Sequence, residues 1–202
     1  MNSSTLLLAA RFEEFIREQG RQYARETVQL QTDPSKLPRK LSATAWKRTL
    51  EELARAKIDT GGTNVSLETV SRNARSRIDA VCQFLEGDLS QEIYGSLVHN
   101  ESNMRPNQLN AIFSICDLKD VCSKVSDKQP LLSYFEDDDS PRVHGLLVTR
   151  LNDFMEKRND IAHSLNPGNS PSATSLYDDV AFFKAFGLSV AATLPLHLPQ
   201  PA

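Results

Sequence analysis

The sequence predicts an all-α fold, a helical bundle formed by a single domain over residues 1–202. Apolar residues make up 40% of the chain and charged residues 24%, the balance of a globular domain with a substantial core. Only 8 glycines and 10 prolines are present, so few residues interrupt long helices. Apolar positions recur at helical spacing, and no strand-like alternation extends beyond a few residues.

The first half of the chain divides into helices separated by polar or proline-containing connections. We expect helices over residues 6–30, 43–58, 66–86, 89–97 and 107–117. Gly61 and Gly62 are expected to end the second helix, and Gly87 the third. The stretch 118–141 contains Pro130 and an acidic run, and its pattern assigns no element.

A long C-terminal pair of helices is predicted next. Ser140 and Pro141 suit the N-cap and first position of a helix that reaches His163 or Ser164. A last helix begins near Ser172 or Ser175 and reaches Leu194, where a proline follows.

Charge and cysteine content limit the partners and the compartment. The formal net charge of −3 favours no global attraction to nucleic acid, so RNA contacts would need a local patch. Cys82, Cys116 and Cys122 form no CxxC pair and are predicted to be reduced and apart from any metal. No stretch is expected to approach the length of a membrane span, and the predicted location is the cytoplasm.

One residue of the first C-terminal helix breaks its apolar pattern. Arg158 projects within about 60° of the apolar residues on this helix. These are Val143, Leu147, Leu151, Phe154, Ile161 and Ala162. An unpaired buried guanidinium is costly, so Arg158 either extends out of the core, or pairs with a carboxylate of a neighbouring helix, or lines a cleft as a functional cation.

The same helix carries a polar stripe on another face. Asn152, Glu156, Asn159 and His163 follow i, i+4, i+7, i+11 spacing and project within a band of about 60°. Such a stripe is either a solvated face or part of a site that Arg158 and His163 form at an interface.

Arg158-Asn159-Asp160-Ile161-Ala162-His163 resembles the R-x4-6-H motif of the HEPN superfamily. Ribonuclease members of that superfamily are helical-bundle dimers that cut RNA at the dimer cleft without metal. The resemblance therefore implies an endoribonuclease, a homodimer with an RNA substrate, and no metal or other cofactor.

Two further segments are similar to the larger nuclease-like branch of this superfamily, which occurs in toxin–antitoxin and phage-defence systems. Residues 10–16, Ala-Arg-Phe-Glu-Glu-Phe-Ile, resemble an early-helix pattern. Glu101-Ser102-Asn103-Met104 resembles an Asn-containing turn before the middle helix. A second glutamate follows Glu13 where the pattern has a small residue, which leaves open whether Glu13 or Glu14 faces the site. An antitoxin or a sensor protein is a further partner that the resemblance implies.

The chemistry of metal-independent RNA cleavage assigns roles to the motif. His163 suits proton transfer because an imidazole titrates near neutral pH. Arg158 suits the developing phosphate charge, and Asn159 lies one turn from His163 and can orient it. Glu13 and Asp160 are supporting candidates. Candidates for further RNA contacts are Arg72, Arg75 and Arg105.

Two other functions stay open at this point. A non-catalytic HEPN-like module would use Arg158 to bind a nucleotide, RNA or a partner protein. A helical scaffold would use Arg158 only as a buried structural pair.

Overall fold

The computed structural model describes residues 2–55, 66–98, 103–163 and 171–201. Helices account for every regular element in these ranges, so the predicted all-α fold is confirmed. The α-helices are α1 (Asn2–Gln29), α2 (Arg39–Ala54), α3 (Leu67–Leu85), α4 (Tyr94–Leu97), α5 (Pro106–Phe113), α6 (Val121–Val125), α7 (Gln129–Phe135), α8 (Ser140–His163) and α9 (Ala173–Thr193).

The best-predicted boundaries are those with a capping side chain. Ser66 precedes α3, and its hydroxyl accepts a hydrogen bond from the Thr69 amide. Ser172 does the same for the Ser175 amide at the start of α9. Past the end of α3, Gly87 has φ +108°, a conformation that side chains rarely adopt.

Other boundaries differ from the sequence prediction. The helix expected over 89–97 is only α4, because the Asp88 carboxylate accepts hydrogen bonds from the amide and hydroxyl of Ser90 and forms a local turn. Helix α2 begins four residues before its expected start, directly after Pro38. Ser140 is the first residue of α8 rather than its cap.

The stretch 118–141, to which the sequence pattern assigns no element, contains the two short helices α6 and α7. The expected helix stop at Gly61-Gly62 lies outside the described residues.

The chain forms two compact units, and α1 contributes to both. The first unit contains Met1–Gln19, Asn100–Ser114 and Leu118–Leu198. The second contains Gly20–His99, Ile115–Asp117 and Pro199–Ala202. The core of the second unit includes buried residues of α2, α3 and α4, namely Leu41, Ala45, Val81, Phe84, Tyr94 and Leu97.

An aromatic cluster joins three helices in the core of the first unit. The ring of Phe183 in α9 lies 4.4 Å from that of Phe12 in α1 and 4.6 Å from that of Phe154 in α8, centroid to centroid. Phe182 and Phe186 of α9 extend the cluster and are buried. The C-terminal helix pair therefore packs through aromatic contacts, which contribute beyond their buried area.

A buried carboxylate also links α8 to α9. Asp179 of α9 is fully buried, and its two oxygens accept hydrogen bonds from Arg150 Nη2 and Lys157 Nζ of α8, each at 2.8 Å. Arg150 Nη2 also contacts exposed Asp178 at 2.6 Å. Removing one partner from such a cluster leaves a buried charge without compensation, so the network fixes how α8 packs on α9.

One helical segment of the described chain is long and apolar enough to cross a membrane by length and composition. It is Ala173–His197, whose most apolar 18-residue window has a mean hydropathy of 1.4 and is 44% buried. The sequence prediction that no stretch reaches this length is therefore wrong. Buried core helices satisfy the same criterion, and Phe182, Phe186 and Val190 of this segment are core residues.

Two thiols are predicted to be unreactive in the folded chain. Burial raises the pKa of Cys116 and of Cys122 to about 12, so both stay protonated at pH 8. We expect iodoacetamide to alkylate neither before unfolding and both in urea, measured by peptide mass spectrometry. The half-exposed Cys82 serves as the internal comparison. Alkylation of Cys116 or Cys122 in the native chain would contradict the described core.

Candidate functional site

Helix α8 carries Arg158 from the core toward the surface. The preceding residues on its apolar face, Val143, Leu147, Leu151 and Phe154, are fully buried. Arg158 itself is half-buried, and beyond it Ile161 is half-buried and Ala162 exposed. The Arg158 side chain thus lies where the apolar face of α8 leaves the core. At such a position an arginine packs its aliphatic carbons against apolar residues and keeps its guanidinium accessible.

Two amide side chains hold the guanidinium. Arg158 Nη1 donates hydrogen bonds to Asn103 Oδ1 and to Asn159 Oδ1, each at 3.0 Å. Asn103 Nδ2 donates to the same Asn159 oxygen at 2.6 Å. Arg158, Asn159 and Asn103 therefore form a closed triangle of hydrogen bonds, which we call the amide triangle. It fixes the direction of the guanidinium without neutralising it, because amides carry no net charge.

Four other half-buried arginines of the described chain have carboxylate partners. Glu13 binds Arg17, Glu92 binds Arg25, Glu51 binds Arg48, and Asp178 and Asp179 bind Arg150. Among residues 2–55, 66–98, 103–163 and 171–201, no ion pair is found for Arg158.

A second arginine, Arg105 just before α5, also contacts an amide side chain of α8. Arg105 is half-buried, and its Nη1 donates to Asn152 Oδ1 at 3.4 Å. The Arg105 amide donates to the carbonyl of Asn103 at 2.8 Å, so the segment before α5 is a compact turn. Asn103 contacts α8 at Asn159, and Arg105 contacts it at Asn152. The segment 103–105 therefore lies along the polar stripe that the sequence predicts.

His163 is the last residue of α8, and it is exposed. It lies one helical turn beyond Asn159 on the polar stripe. In the described part of the chain no contact joins its ring to Arg158. Asp160 is exposed and likewise has no contact with Arg158 among these residues. Among the described residues, amide side chains hold the motif arginine, and the motif histidine is exposed.

The structure distinguishes the two adjacent glutamates of α1. The side chain of Glu13 is 12% exposed and that of Glu14 is 56% exposed, so Glu13 is the inward-facing one. Glu13 Oε2 accepts a hydrogen bond from Arg17 at 3.1 Å, while its Oε1 is buried without a hydrogen-bond partner. No contact between Glu13 and Arg158 is present in the described residues.

The other two RNA-binding candidates belong to the second unit. Arg72 and Arg75 are exposed on α3 and line an open cavity of about 400 Å³ together with Asp79. Neither joins the amide triangle. Asp79 offsets part of their positive charge, which weakens the case for a phosphate track on α3.

Sequence reasoning did not identify Asn103 or Asn152 as the residues that hold the two arginines. The signal for Asn103 was present, since it lies in the Asn-containing turn that the superfamily resemblance covers. For Asn152 the only signal was its place on the polar stripe.

Comparison with known families identifies the family of the chain. The model of the family described as RiboL-PSP-HEPN matches residues 1–194, and this range includes α8 and the amide triangle. The chain belongs to the RiboL-PSP-HEPN family. Its predicted membership of the HEPN superfamily is thereby confirmed. No curated protein and no solved structure gives a match to this HEPN chain.

The two half-buried arginines of α8 should differ in their importance for stability. We expect Arg150→Met to lower the free energy of unfolding by about 3 kcal/mol, because Asp179 then stays buried with one cation only. Arg158→Met should change it by less than about 1 kcal/mol, because Asn103 and Asn159 still bond to each other.

Urea unfolding followed by circular dichroism measures both changes. Equal destabilisation by the two substitutions would contradict this account, since it would give Arg158 the structural role that we assign to Arg150.

Proposed function

We propose that this HEPN domain is a metal-independent endoribonuclease that cleaves RNA at a cleft between two copies of the chain. Two lines of evidence support the proposal. The chain belongs to a HEPN family, and many HEPN domains are ribonucleases. The observation that carries it is the guanidinium of Arg158, which the amide triangle orients and no described carboxylate neutralises.

The reaction needs three tasks from the site. A base removes the proton of the 2′-OH, whose oxygen then attacks the adjacent phosphorus. The bond from phosphorus to the 5′-oxygen breaks, and an acid supplies a proton to that oxygen. The products are a 2′,3′-cyclic phosphate and a 5′-hydroxyl. Between these steps the phosphoryl oxygens carry extra negative charge that a fixed cation stabilises.

The residues of α8 suit these tasks. Arg158 binds the phosphoryl oxygens, since a planar guanidinium makes paired, charge-assisted hydrogen bonds to phosphate. His163 transfers the protons. Asn159 is the link between them, because it contacts Arg158 and lies one turn from His163. Asn103 positions Arg158, and the inward-facing Glu13 and the exposed Asp160 are supporting residues.

The need for two proton-transfer groups favours a homodimer. One chain supplies one His163, and one imidazole serves poorly as base and acid in the same event. Because His163 is exposed at the end of α8, a second copy related by two-fold symmetry can bring another His163 to the same cleft.

The biological setting that we propose is a toxin or phage-defence effector in the cytoplasm, acting on cellular RNA. An antitoxin or sensor protein would then control it.

A second function is favoured by one observation. No described contact joins His163 to Arg158, so one chain holds an anion-binding arginine without an adjacent acid or base. A non-catalytic module would bind a nucleotide, RNA or a partner protein through Arg158 and would show no turnover.

The first test incubates the purified chain with RNA in EDTA and identifies the product ends. We expect wild type to leave 2′,3′-cyclic phosphates, and we expect Arg158→Ala and His163→Ala to reduce cleavage at least about a hundredfold. His144→Ala is the matched control, because His144 lies on α8 away from the stripe. Unchanged cleavage in His163→Ala would refute the proposed chemistry, and binding without cleavage would favour the module.

A mixing experiment tests the two-copy site. His163→Ala chains are added in equal amount to a fixed amount of wild type, and the subunits are allowed to exchange. If a site needs both copies, random pairing leaves about half of the original wild-type dimers, and activity falls by half. Activity that does not change would mean that each chain acts alone.

A further inference from the structure

The two arginines held by amides stand at separate points along α8. Arg158 is anchored at Asn159 and Arg105 at Asn152. Seven residues of α-helix separate these anchors, which corresponds to about 10 Å along the axis. A single phosphate making hydrogen bonds of about 3 Å to each side cannot bridge that distance. The two guanidinium groups are therefore suited to two different anions.

The anchors also lie on the same side of α8. Asn152 and Asn159 project within about 20° of each other, and the segment 103–105 follows the helix between them. Arg105, like Arg158, is half-buried and bound to an amide oxygen, with no ion pair found for it in the described ranges. Ligands at the two arginines would thus lie one after the other along the polar stripe.

We propose that Arg105 forms a second phosphate subsite, which binds a backbone phosphate of the RNA strand one or two nucleotides from the phosphate at Arg158. This inference rests on the proposed function and adds the path of the substrate, along α8 from His163 toward Asn152. Consecutive phosphates of one strand supply in-line anions at fixed spacing, which free nucleotides do not.

Glu156 allows a second test of the proposed path along α8. It is exposed and lies on the polar stripe between Asn152 and Asn159. A strand that follows α8 passes this carboxylate and is repelled by it. Glu156→Gln should therefore tighten RNA binding, whereas loss of Arg105 weakens it.

Substrate length separates the subsite from a general effect of charge. We compare a dinucleotide, which contains only the phosphate to be cleaved, with a hexanucleotide of the same central sequence. On the hexanucleotide, Arg105→Ala should raise KM about tenfold with little change in kcat, because the lost contact is made equally before and during the reaction. On the dinucleotide it should have no effect.

Two matched variants and one salt measurement complete the design. Arg142→Ala removes the same charge from an exposed position in the first turn of α8 and should leave KM unchanged at both lengths. Arg105→Lys keeps the charge and should restore part of the affinity. The dependence of log K on log salt should decrease by about one unit in Arg105→Ala. The unfolding midpoint of each variant checks that it is folded.

Binding of a hexanucleotide that lacks 2′-hydroxyls distinguishes failure of this inference from failure of the nuclease proposal. If wild type binds it but cleaves no RNA, the nuclease proposal fails, and a tenfold weaker binding in Arg105→Ala still supports the subsite. If Arg105→Ala binds and cleaves both lengths as wild type does, or loses both lengths equally, the subsite is refuted. If wild type neither binds nor cleaves, both are refuted.

Discussion

Amide oxygens hold the guanidinium of Arg158, whereas four other half-buried arginines of the described chain contact carboxylates. The difference is chemical. A carboxylate would orient the guanidinium and neutralise it, whereas Asn103 and Asn159 orient it and leave the charge for a ligand. Every functional statement about this HEPN domain depends on that distinction, since a neutralised Arg158 would be a structural ion pair and nothing more.

Arg150, eight residues earlier on α8, is an arginine whose charge is paired with a buried carboxylate. Arg150 contacts the fully buried Asp179, and Lys157 contacts the other oxygen of that carboxylate. This network and the aromatic contacts of Phe183 keep α8 packed against α9. Arg158 and the polar stripe lie on other faces of this helix, so the contacts that stabilise the unit and the residues of the proposed chemistry belong to different faces of one element.

Periodicity in the sequence predicted the long helices and the position of Arg158 on α8, because both follow from local spacing. The partners of Arg158 and Asp179 depend on packing between distant segments. Asn103 is 55 residues from Arg158 in the chain. Asp178 and Asp179 are identical neighbours in sequence, yet only one of them is buried. The shortened α4 shows a further limit, since side-chain hydrogen bonds at Asp88 prevailed over helical spacing.

The most direct measurement of the central claim is RNA binding and cleavage by Asn103→Asp, with Asn103→Ala as its comparison. The aspartate places a negative charge within reach of Arg158 and changes almost nothing in size. We predict a folded chain at least as stable as Asn103→Ala that binds and cleaves RNA at least about tenfold less well than Asn103→Ala, because the charge of Arg158 is then neutralised. Binding and cleavage by Asn103→Asp equal to those of wild type would contradict the account.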